Sequence, residues 1–294
     1  MQDTSSVAGL VEKKALQKKA LAMIENLPSL STVVGEFLEL ASKEYFTAKD
    51  FEKVLIKDQA LVARLLKVAN SSFFGSSKEI NSVSDAVVLI GMDNMKNIVY
   101  AVSSSGLLTK KLKNYSYSDT GFWLHSMAVA ITSRVLMESV HNSPVNAEAV
   151  FVAGLVHDIG KLIMDNFLDA EQGPRKVTLA EERQTLGVDH CKLAEVSLRR
   201  WKIPEAIQKA VRHHHDPDPH DEEQFGALVV NMADRLCNTW NIGTQSLMDL
   251  GAEVDESDYE DALHVLSFPS GTFQPLLFEL RQKLSTLDEY YEAV

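Results

Sequence analysis

Histidine and aspartate side chains interrupt three segments of this chain that are otherwise apolar. His157 and Asp158 follow eight consecutive apolar or small residues, His125 lies in the run FWLHSMAVAI, and Asp234 lies in LVVNMADRLC. Helices of this composition are expected to be buried on most sides. Since a buried carboxylate without a partner is strongly unfavourable, each aspartate requires a cation, a proton or a full set of hydrogen bonds.

Three further histidines lie at the ends of predicted helices. His190 follows Asp189, a predicted N-cap, while His214 and His215 close a helix that begins near Pro204. A single cation site would satisfy all of these polar groups, so their convergence is the simplest hypothesis. The candidate metal ligands are His125, His157, Asp158, His190, His214, His215 and Asp234.

This set of imidazoles and carboxylates suits Fe, Mn, Zn or Ni better than a structural zinc site built from cysteines. His125, His157, Asp158 and Asp234 suffice for one divalent ion, and the whole set suffices for two if Asp158 bridges them. No thiolate is expected in the site, because the chain contains only two cysteines and they form no CxxC pair.

Local explanations compete with the metal site. His157 and Asp158 are also consistent with a structural pair, and Asp158 is within reach of Lys161 on the same helix. His125 alone is typical of a hydrogen-bonded core histidine, and the histidines before Pro217 are consistent with a helix C-terminus. Arg235 is an awkward partner for Asp234, because adjacent residues on a helix point about 100° apart.

The elements that position these residues are predicted to be helices throughout. Apolar residues recur at helical spacing, and strand-like alternation is hard to find. Capping signals mark the helix starts at Asp58, Thr47 with Asp50, Ser82 with Asp85, Thr178 with Glu181, and Ser143 before Pro144. Gly91 is predicted to end one helix, and a last helix is predicted from about Pro275.

Two polar segments divide the chain. Residues 109–119 are polar and basic, and residues 241–258 are small, polar and acidic. They predict a helical part over residues 1–115, a second over 116–241 that contains the candidate ligands, and a C-terminal helical extension over 242–294. The extension is expected to cover one face of the helical bundle.

Composition narrows the class of protein. The chain has 294 residues, of which 45% are hydrophobic and 24% charged, and these values indicate a folded domain. The net charge of −12 and the absence of a basic stripe argue against general nucleic-acid binding. No apolar run approaches the roughly 18 to 20 residues of a membrane span, and no signal-peptide core is visible. We therefore expect a soluble cytoplasmic protein with no membrane association.

The order His125, His157-Asp158, Asp234 resembles the H…HD…D signature of the HD superfamily of metal-dependent phosphohydrolases. Residues 157–161 read HDIGK, a characteristic form of the motif. Further motifs resemble the HDOD (HD-related output domain) family: LPSL at 27–30, DQAL at 58–61, RLLKVANS at 64–71, FG at 74–75, Gly187 before His190, and Trp201, Pro204 and Pro217 around the histidine pair.

The resemblance implies an all-α fold, in which an HD-type helical bundle follows an N-terminal helical HDOD subdomain. It implies the same seven metal ligands, and it indicates that His214 and His215, rather than His213, are the ligands in this histidine run. HDOD domains are bacterial signalling modules and are generally regarded as degenerate relatives of HD hydrolases. If the site hydrolyses a phosphoester, Asp158 and Lys161 are the expected catalytic residues, with Lys161 contacting a substrate phosphate.

Two departures from the related HD-GYP phosphodiesterases stand out. The residues after His215 read DPDPHD in place of a glycine-rich signature, and Gly121 stands where those enzymes can place a glutamate ligand. Both departures argue against hydrolysis of cyclic dinucleotides. His125 is retained, although many HDOD domains are expected to have lost it.

Three functions are therefore considered. The favoured one is a regulatory module that retains one or two divalent ions and acts on an unknown signalling protein. A metal-dependent phosphohydrolase with a nucleotide-like phosphoester substrate is the alternative, and an iron-based redox or gas sensor is the third. The acidic residues 216–223 are expected beside the site, where they would disfavour an anionic substrate. Phe73 and Phe74 are expected to lock the two halves together, and Asn70 to cap a helix.

Overall fold

A computed structural model of the chain describes residues 4–27, 32–41, 43, 45–71, 79–140, 145–244, 250–287 and 291. Within these residues the regular structure is helical, apart from one isolated bridge between Tyr115 and Arg175. The all-α prediction is therefore confirmed. None of the described helices combines the length and apolarity needed to cross a membrane.

Six helices form the N-terminal part: α1 Thr4–Asn26, α2 Thr32–Ala41, α3 Ala48–Leu55, α4 Gln59–Ala69, α5 Val83–Ile90 and α6 Met92–Leu108. Their core includes Phe37, which packs edge-on against Phe51 and Tyr100. Tyr100 also contacts Phe151, so this core continues into the helices that follow.

The part of the chain that contains the candidate ligands has seven described α-helices: α7 Gly121–Glu138, α8 Ala147–Val156, α9 Lys161–Met164, α10 Leu179–Leu186, α11 His190–Arg200, α12 Glu205–His213 and α13 Phe225–Thr239. Helices α7 and α8 pack closely along their lengths, and α12 and α13 pack against α8. Both α7 and α8 are buried on nearly every side, as their apolar composition predicts. Polar groups on these two helices consequently face protein.

Two helices complete the described chain, α14 Glu260–Val265 and α15 Phe273–Leu284. Helix α15 packs against α7, and the Tyr291 ring lies 5.1 Å from the Trp123 ring of α7. The C-terminal residues thus cover the bundle on the α7 side. Helix α15 begins two residues before Pro275, which occupies its first turn.

Most of the predicted capping signals lie at helix ends in the structure. Thr47 and Asp50 form a reciprocal capping box, as do Thr178 and Glu181. Asp58 and Ser82 cap α4 and α5 through their side chains, and Gly91 ends α5 with φ of 86°. These signals are local in sequence, so the sequence alone locates them.

Two local predictions fall wholly or partly outside the described residues. Phe73 and Phe74 lie in the undescribed segment 72–78. Ser143 and Pro144 lie in the undescribed segment 141–144, and α8 begins at Ala147 with Asn146 as its N-cap. The start of this helix is therefore later than the sequence signal predicts.

Candidate metal centre

Five elements bring the seven predicted residues into one buried cluster. His125 lies on α7, His157 ends α8, and Asp158 lies in the turn between α8 and α9. Helix α11 supplies His190 as its first residue, the end of α12 supplies His214 and His215, and α13 supplies Asp234. Their convergence is a property of the fold. Their role as metal ligands stays a prediction.

Gly160 allows α11 to approach Asp158. A Cβ atom at residue 160 would collide with the main-chain carbonyl of His190. The small residue in the HDIGK motif therefore lets the start of α11 lie directly against the α8–α9 turn, where His190 reaches the aspartate.

One half of the cluster is formed by two histidines and two aspartates. The His125 Nε2 atom lies 3.0 Å from Asp234 Oδ1 and 4.0 Å from Asp158 Oδ2. The His157 Nε2 atom lies 3.3 Å from Asp158 Oδ2 and 3.7 Å from Asp234 Oδ1. These four side chains are nearly inaccessible to solvent.

The other half lies on the opposite oxygen of Asp158. Its Oδ1 atom is 3.2 Å from His190 Nε2 and 3.9 Å from His214 Nε2. The Nε2 atoms of His190 and His215 are 3.2 Å apart. Asp158 therefore offers one oxygen to each half, as a bridging carboxylate would. His213 lies outside the cluster and lines a separate surface cavity.

Three ligand-type atoms in this cluster are buried without a hydrogen-bond partner among the described residues: His157 Nε2, His214 Nε2 and Asp158 Oδ1. The Nδ1 atoms of the two histidines each lie 2.7 Å from a main-chain carbonyl, those of Gly154 and Val211. These contacts assign a proton to each Nδ1, so each ring, when neutral, directs its Nε2 lone pair toward Asp158. Buried lone pairs facing a carboxylate fit a cation between them.

Neighbouring charges govern protonation in the half of the cluster that contains His157 and Asp234. Burial alone would raise the pKa of Asp158, but His157 and Lys161 hold it well below its usual range. Burial alone would lower the pKa of His157, but the Asp158 and Asp234 carboxylates raise it to about 9. Without a metal, a proton on His157 therefore balances part of the negative charge.

His214 and His215, in the other half of the cluster, favour the neutral imidazole form. Burial is the largest cause that lowers the pKa of His214 well below its usual range, and it lowers that of His215 to about 4. The nearby histidines act in the same direction. Neutral imidazole is the form that binds a metal ion, so these two rings are ready for coordination at neutral pH.

Lys161 is bound to Asp158, which is one of the local arrangements that the sequence left open. Its Nζ atom lies 2.5 Å from Asp158 Oδ2 and 3.2 Å from the hydroxyl of Tyr117. Tyr117 in turn donates a 2.8 Å hydrogen bond to the same carboxylate oxygen. Burial opposes the charge on Lys161, but Asp158 raises its pKa. The ammonium group thus stabilises the aspartate and also lines the adjacent cavity.

Glu182 contacts the side of the His190 ring that faces away from Asp158, and no sequence pattern indicates this role. Its carboxylate accepts hydrogen bonds from His190 Nδ1, from the His190 amide at 2.7 Å, and from the Tyr115 hydroxyl at 2.7 Å. Burial opposes ionisation of Glu182, but the His190 contacts and Tyr115 lower its pKa. A carboxylate behind a histidine fixes the ring orientation and raises its basicity as a ligand.

A cavity of about 680 Å³ opens onto the cluster. His125, His190, His215 and Asp234 form part of its wall. Basic side chains also line it: Lys161, Arg175, Lys176 and Arg235. A volume of this size accommodates a small ligand, and the basic residues favour an anionic one.

The acidic residues 216–223 do not line this cavity. Three of them, Asp218, Asp221 and Glu222, line a separate cavity next to α13. The expectation that they lie beside the site and disfavour anions is therefore wrong, because the chain turns away from the cluster after His215. Arg235 is likewise separate from Asp234, since it stacks on Tyr259 and donates to the Asp258 carbonyl.

Gly121 has a structural role. A Cβ atom at this position would collide with the carbonyl oxygen of Gly243, and Gly243 O also accepts a 2.9 Å hydrogen bond from Ser118 N. The chain therefore has no space here for the glutamate that other HD proteins can place four residues before His125.

The helical bundle and its His/Asp cluster define an HD-type helical protein. The chain belongs to the HDOD family, since the model of the HDOD domain matches residues 27–217. That match ends before Asp234, which the fold adds to the cluster.

Other proteins are similar to this chain in sequence or in structure. A protein of Treponema pallidum (strain Nichols) is 24% identical over 226 residues, covering 71% of this chain, and the match spans only 41% of that protein's length. An HDOD domain protein of unknown function from Geobacter sulfurreducens has a similar structure, with a TM-score of 0.69, 20% identity, and coverage of 97% of this chain and 98% of that one.

Two further solved structures share the fold. A candidate phosphohydrolase of Shewanella amazonensis SB2B has a TM-score of 0.63 at 22% identity, over 92% of this chain and 94% of that chain. A candidate signal transduction protein of Marinobacter aquaeolei VT8 has a TM-score of 0.67 at 17% identity, over 96% of this chain and 65% of that chain. At these identities the likeness establishes the fold.

Proposed function

We propose that this protein is a bacterial regulatory HDOD module that holds one or two divalent metal ions in the His/Asp cluster. The observation that carries the proposal is a set of three buried ligand atoms that have no hydrogen-bond partner among the described residues: His157 Nε2, His214 Nε2 and Asp158 Oδ1. Three such atoms in one buried cluster would be unfavourable without a cation. Fe, Mn, Zn and Ni all suit the donor set.

The charge of the cluster favours at least one divalent ion. The carboxylates of Asp158, Asp234 and Glu182 are all held ionised by their neighbours. Lys161 is the one ammonium group in direct contact with them among the described residues. With neutral imidazoles, two negative charges remain, and one divalent ion balances them. A second ion would require further anionic ligands.

A regulatory role is favoured over hydrolysis by the surroundings of Lys161. The lysine is bound to both Asp158 and Tyr117, so its ammonium group is already partnered within the protein. The glycine-rich signature of the HD-GYP phosphodiesterases is absent after His215. The similar Marinobacter protein, named as a candidate for signal transduction, supports the same role. We expect the output to pass to a signalling protein that is still unidentified.

Hydrolysis of a phosphoester is the second candidate, and the cavity is the observation that favours it. Arg175 lines the cavity, and its Nη1 atom is buried without a hydrogen-bond partner among the described residues. Lys176 and Arg235 lie on the same wall. In such an enzyme the metal would supply Lewis acidity at the phosphoryl oxygen. The arginine and lysine side chains would bind and orient the anion.

Elemental analysis followed by activity assays separates the two candidates. The purified protein should contain at least one equivalent of divalent metal, and it should not turn over a panel of phosphoesters with or without added Mn²⁺. Robust turnover that disappears in Asp158→Ala would replace the regulatory role with the enzymatic one. Two equivalents of iron with redox-dependent spectra would instead support a redox sensor.

Anion binding in the cavity can be measured independently of turnover. Inorganic phosphate should bind the metal-loaded protein, and Arg175→Gln should weaken that binding about tenfold, the effect of losing one charge-assisted contact. Arg199→Gln is the matched control, because Arg199 lines a different surface cavity. Equal phosphate affinity in both variants would show that Arg175 does not bind an anion in this cavity.

A further inference from the structure

Cys191 lies in the half of the cluster that contains His190, His214 and His215. It is the second residue of α11, and its side chain is buried. One donor atom from each of these four residues lies within 4.8 Å of the others. The sequence predicted a site without a thiolate, because neither cysteine belongs to a metal-binding motif. The fold places one of them there nonetheless.

Two of the separations between these donor atoms match tetrahedral coordination. A metal with N and S ligands at about 2.05 and 2.3 Å holds two nitrogens about 3.3 Å apart and a nitrogen and a sulfur about 3.6 Å apart. The Nε2 atoms of His190 and His215 are 3.2 Å apart, and Cys191 Sγ is 3.6 Å from His190 Nε2. These donors therefore already have the separation that one bound ion would impose.

A second observation points to a ligand at the same place. The His214 side chain is completely buried, and its Nε2 atom has no hydrogen-bond partner among the described residues. Its Nδ1 proton is used by the Val211 carbonyl, so Nε2 is left with a lone pair. A metal ion bound by Cys191 would satisfy this atom as well.

The other cysteine has a different environment. Cys237 packs within the hydrophobic core, and its Sγ atom lies 3.7 Å from the hydroxyl of Thr132. Burial raises the pKa of its thiol. Cys237 is therefore a structural cysteine and a matched control for Cys191.

We propose that Cys191 binds metal as a thiolate, together with His190, His214 and His215. Metal binding breaks the S–H bond and releases its proton to solvent while a metal–sulfur bond forms, with no change of oxidation state. A soft sulfur ligand makes this half of the site prefer Zn²⁺, Co²⁺ or Fe²⁺ over Mn²⁺ and Mg²⁺. The inference rests on the proposed metal-binding function and specifies its ligands.

Cobalt spectroscopy tests the proposal directly. Metal-free full-length protein is loaded with Co²⁺, and we expect a near-ultraviolet sulfur-to-cobalt charge-transfer band together with visible d–d bands. Cys191→Ser should lose the charge-transfer band, and Cys237→Ser should retain it. Bound cobalt without that band in the wild-type protein, or a band that survives in Cys191→Ser, would overturn the proposal. Both results would leave metal binding itself intact.

Metal preference and X-ray absorption provide further readouts. Cys191→Ser should weaken Zn²⁺ binding at least about tenfold, the loss typical even of residues that only support ligands, and should change Mn²⁺ binding less than about twofold. In zinc-loaded Cys237→Ser, whose only thiol is Cys191, absorption spectra should show sulfur at about 2.3 Å from zinc. Zinc coordinated without sulfur contradicts the inference. Failure to bind any metal contradicts the proposed function as well.

Discussion

Asn70 in the N-terminal helices and the side chains of the His/Asp cluster satisfy their hydrogen bonds in different ways. Asn70 ends α4 and bonds to the carbonyls of Leu66 and Ile80 and to the Ile80 amide, all within ten residues. His125 instead contacts Asp234, which is 109 residues away.

Asn70 and the cluster also differ in how many of their buried polar atoms have hydrogen-bond partners. Asn70 uses both its amide nitrogen and its carbonyl oxygen, whereas His157, His214 and Asp158 each keep one buried atom without a hydrogen-bond partner in the described part of the chain. Local and complete hydrogen bonding terminates a helix. Distant and incomplete hydrogen bonding is what a ligand site requires. Variants in both regions test this distinction.

Replacement of Asp158 should have the largest effect. Asp158→Asn removes the charge that faces both halves of the cluster, so metal affinity should fall at least about a hundredfold, beyond the range for supporting residues. Asp165→Asn is the control, because Asp165 is also buried but its carboxylate is saturated by the amides of Lys113 and Asn114. The control should lose about 1–3 kcal/mol of stability and keep its metal. Competition with a chromogenic chelator measures the affinities, and similar values for both variants would refute the distinction.

Glu182→Gln should have the next largest effect. The variant keeps the shape of the side chain but weakens its support of His190, so metal affinity should fall about ten- to a hundredfold. Glu181→Gln is the matched control one residue earlier, since Glu181 is engaged only with Thr178 and Arg175 near the surface. A calorimetric titration compares the two, and equal affinities would show that Glu182 is purely structural.

Metal binding should release a proton at neutral pH. His157 has its pKa raised to about 9 in the metal-free protein, whereas the pKa of His215 is lowered to about 4. At pH 7 the proton on His157 must therefore leave before the ring can bind metal, and affinity should rise about tenfold per pH unit for each such proton up to about pH 9. Calorimetry in buffers of different ionisation enthalpy counts the protons. A binding enthalpy independent of the buffer would contradict this protonation state.

Asn70→Ala should have the smallest effect on the site. It removes the side-chain bonds that join the end of α4 to Ile80, so the free energy of unfolding should fall by about 1–2 kcal/mol. Metal affinity should not change, since Asn70 is not part of the cluster. Chemical denaturation and metal titration of the same preparation test both statements. A large loss of metal would show that the two regions are coupled.

The sequence predicts the fold class and the cluster because both leave strong local signals. Helix caps such as Thr178 with Glu181 act within one turn, and histidines inside apolar helices are conspicuous. The supporting residues leave no such signal. Glu182 lies in the polar stretch EERQ, and Tyr115 lies in the linker between α6 and α7, so their contacts depend on how distant segments pack.

For Cys191 and for residues 216–223, too, the sequence does not show whether the side chains lie at the site. Cys191 follows a predicted ligand in sequence, but only the packing of α11 against α12 shows that its sulfur reaches the histidine pair. Residues 216–223 are close to His215 in sequence, yet they line another cavity. Proximity along the chain is a poor guide to which charges surround a buried site.

The metal content of the protein tests the central claim most directly. Protein stripped with a chelator, reloaded with Zn²⁺ and passed through a desalting column should retain at least one equivalent per chain by elemental analysis. His157→Ala and His214→Ala should each retain substantially less, because each removes one unpartnered ligand atom. Wild-type protein that is folded after stripping and retains no more metal than these variants would contradict the account.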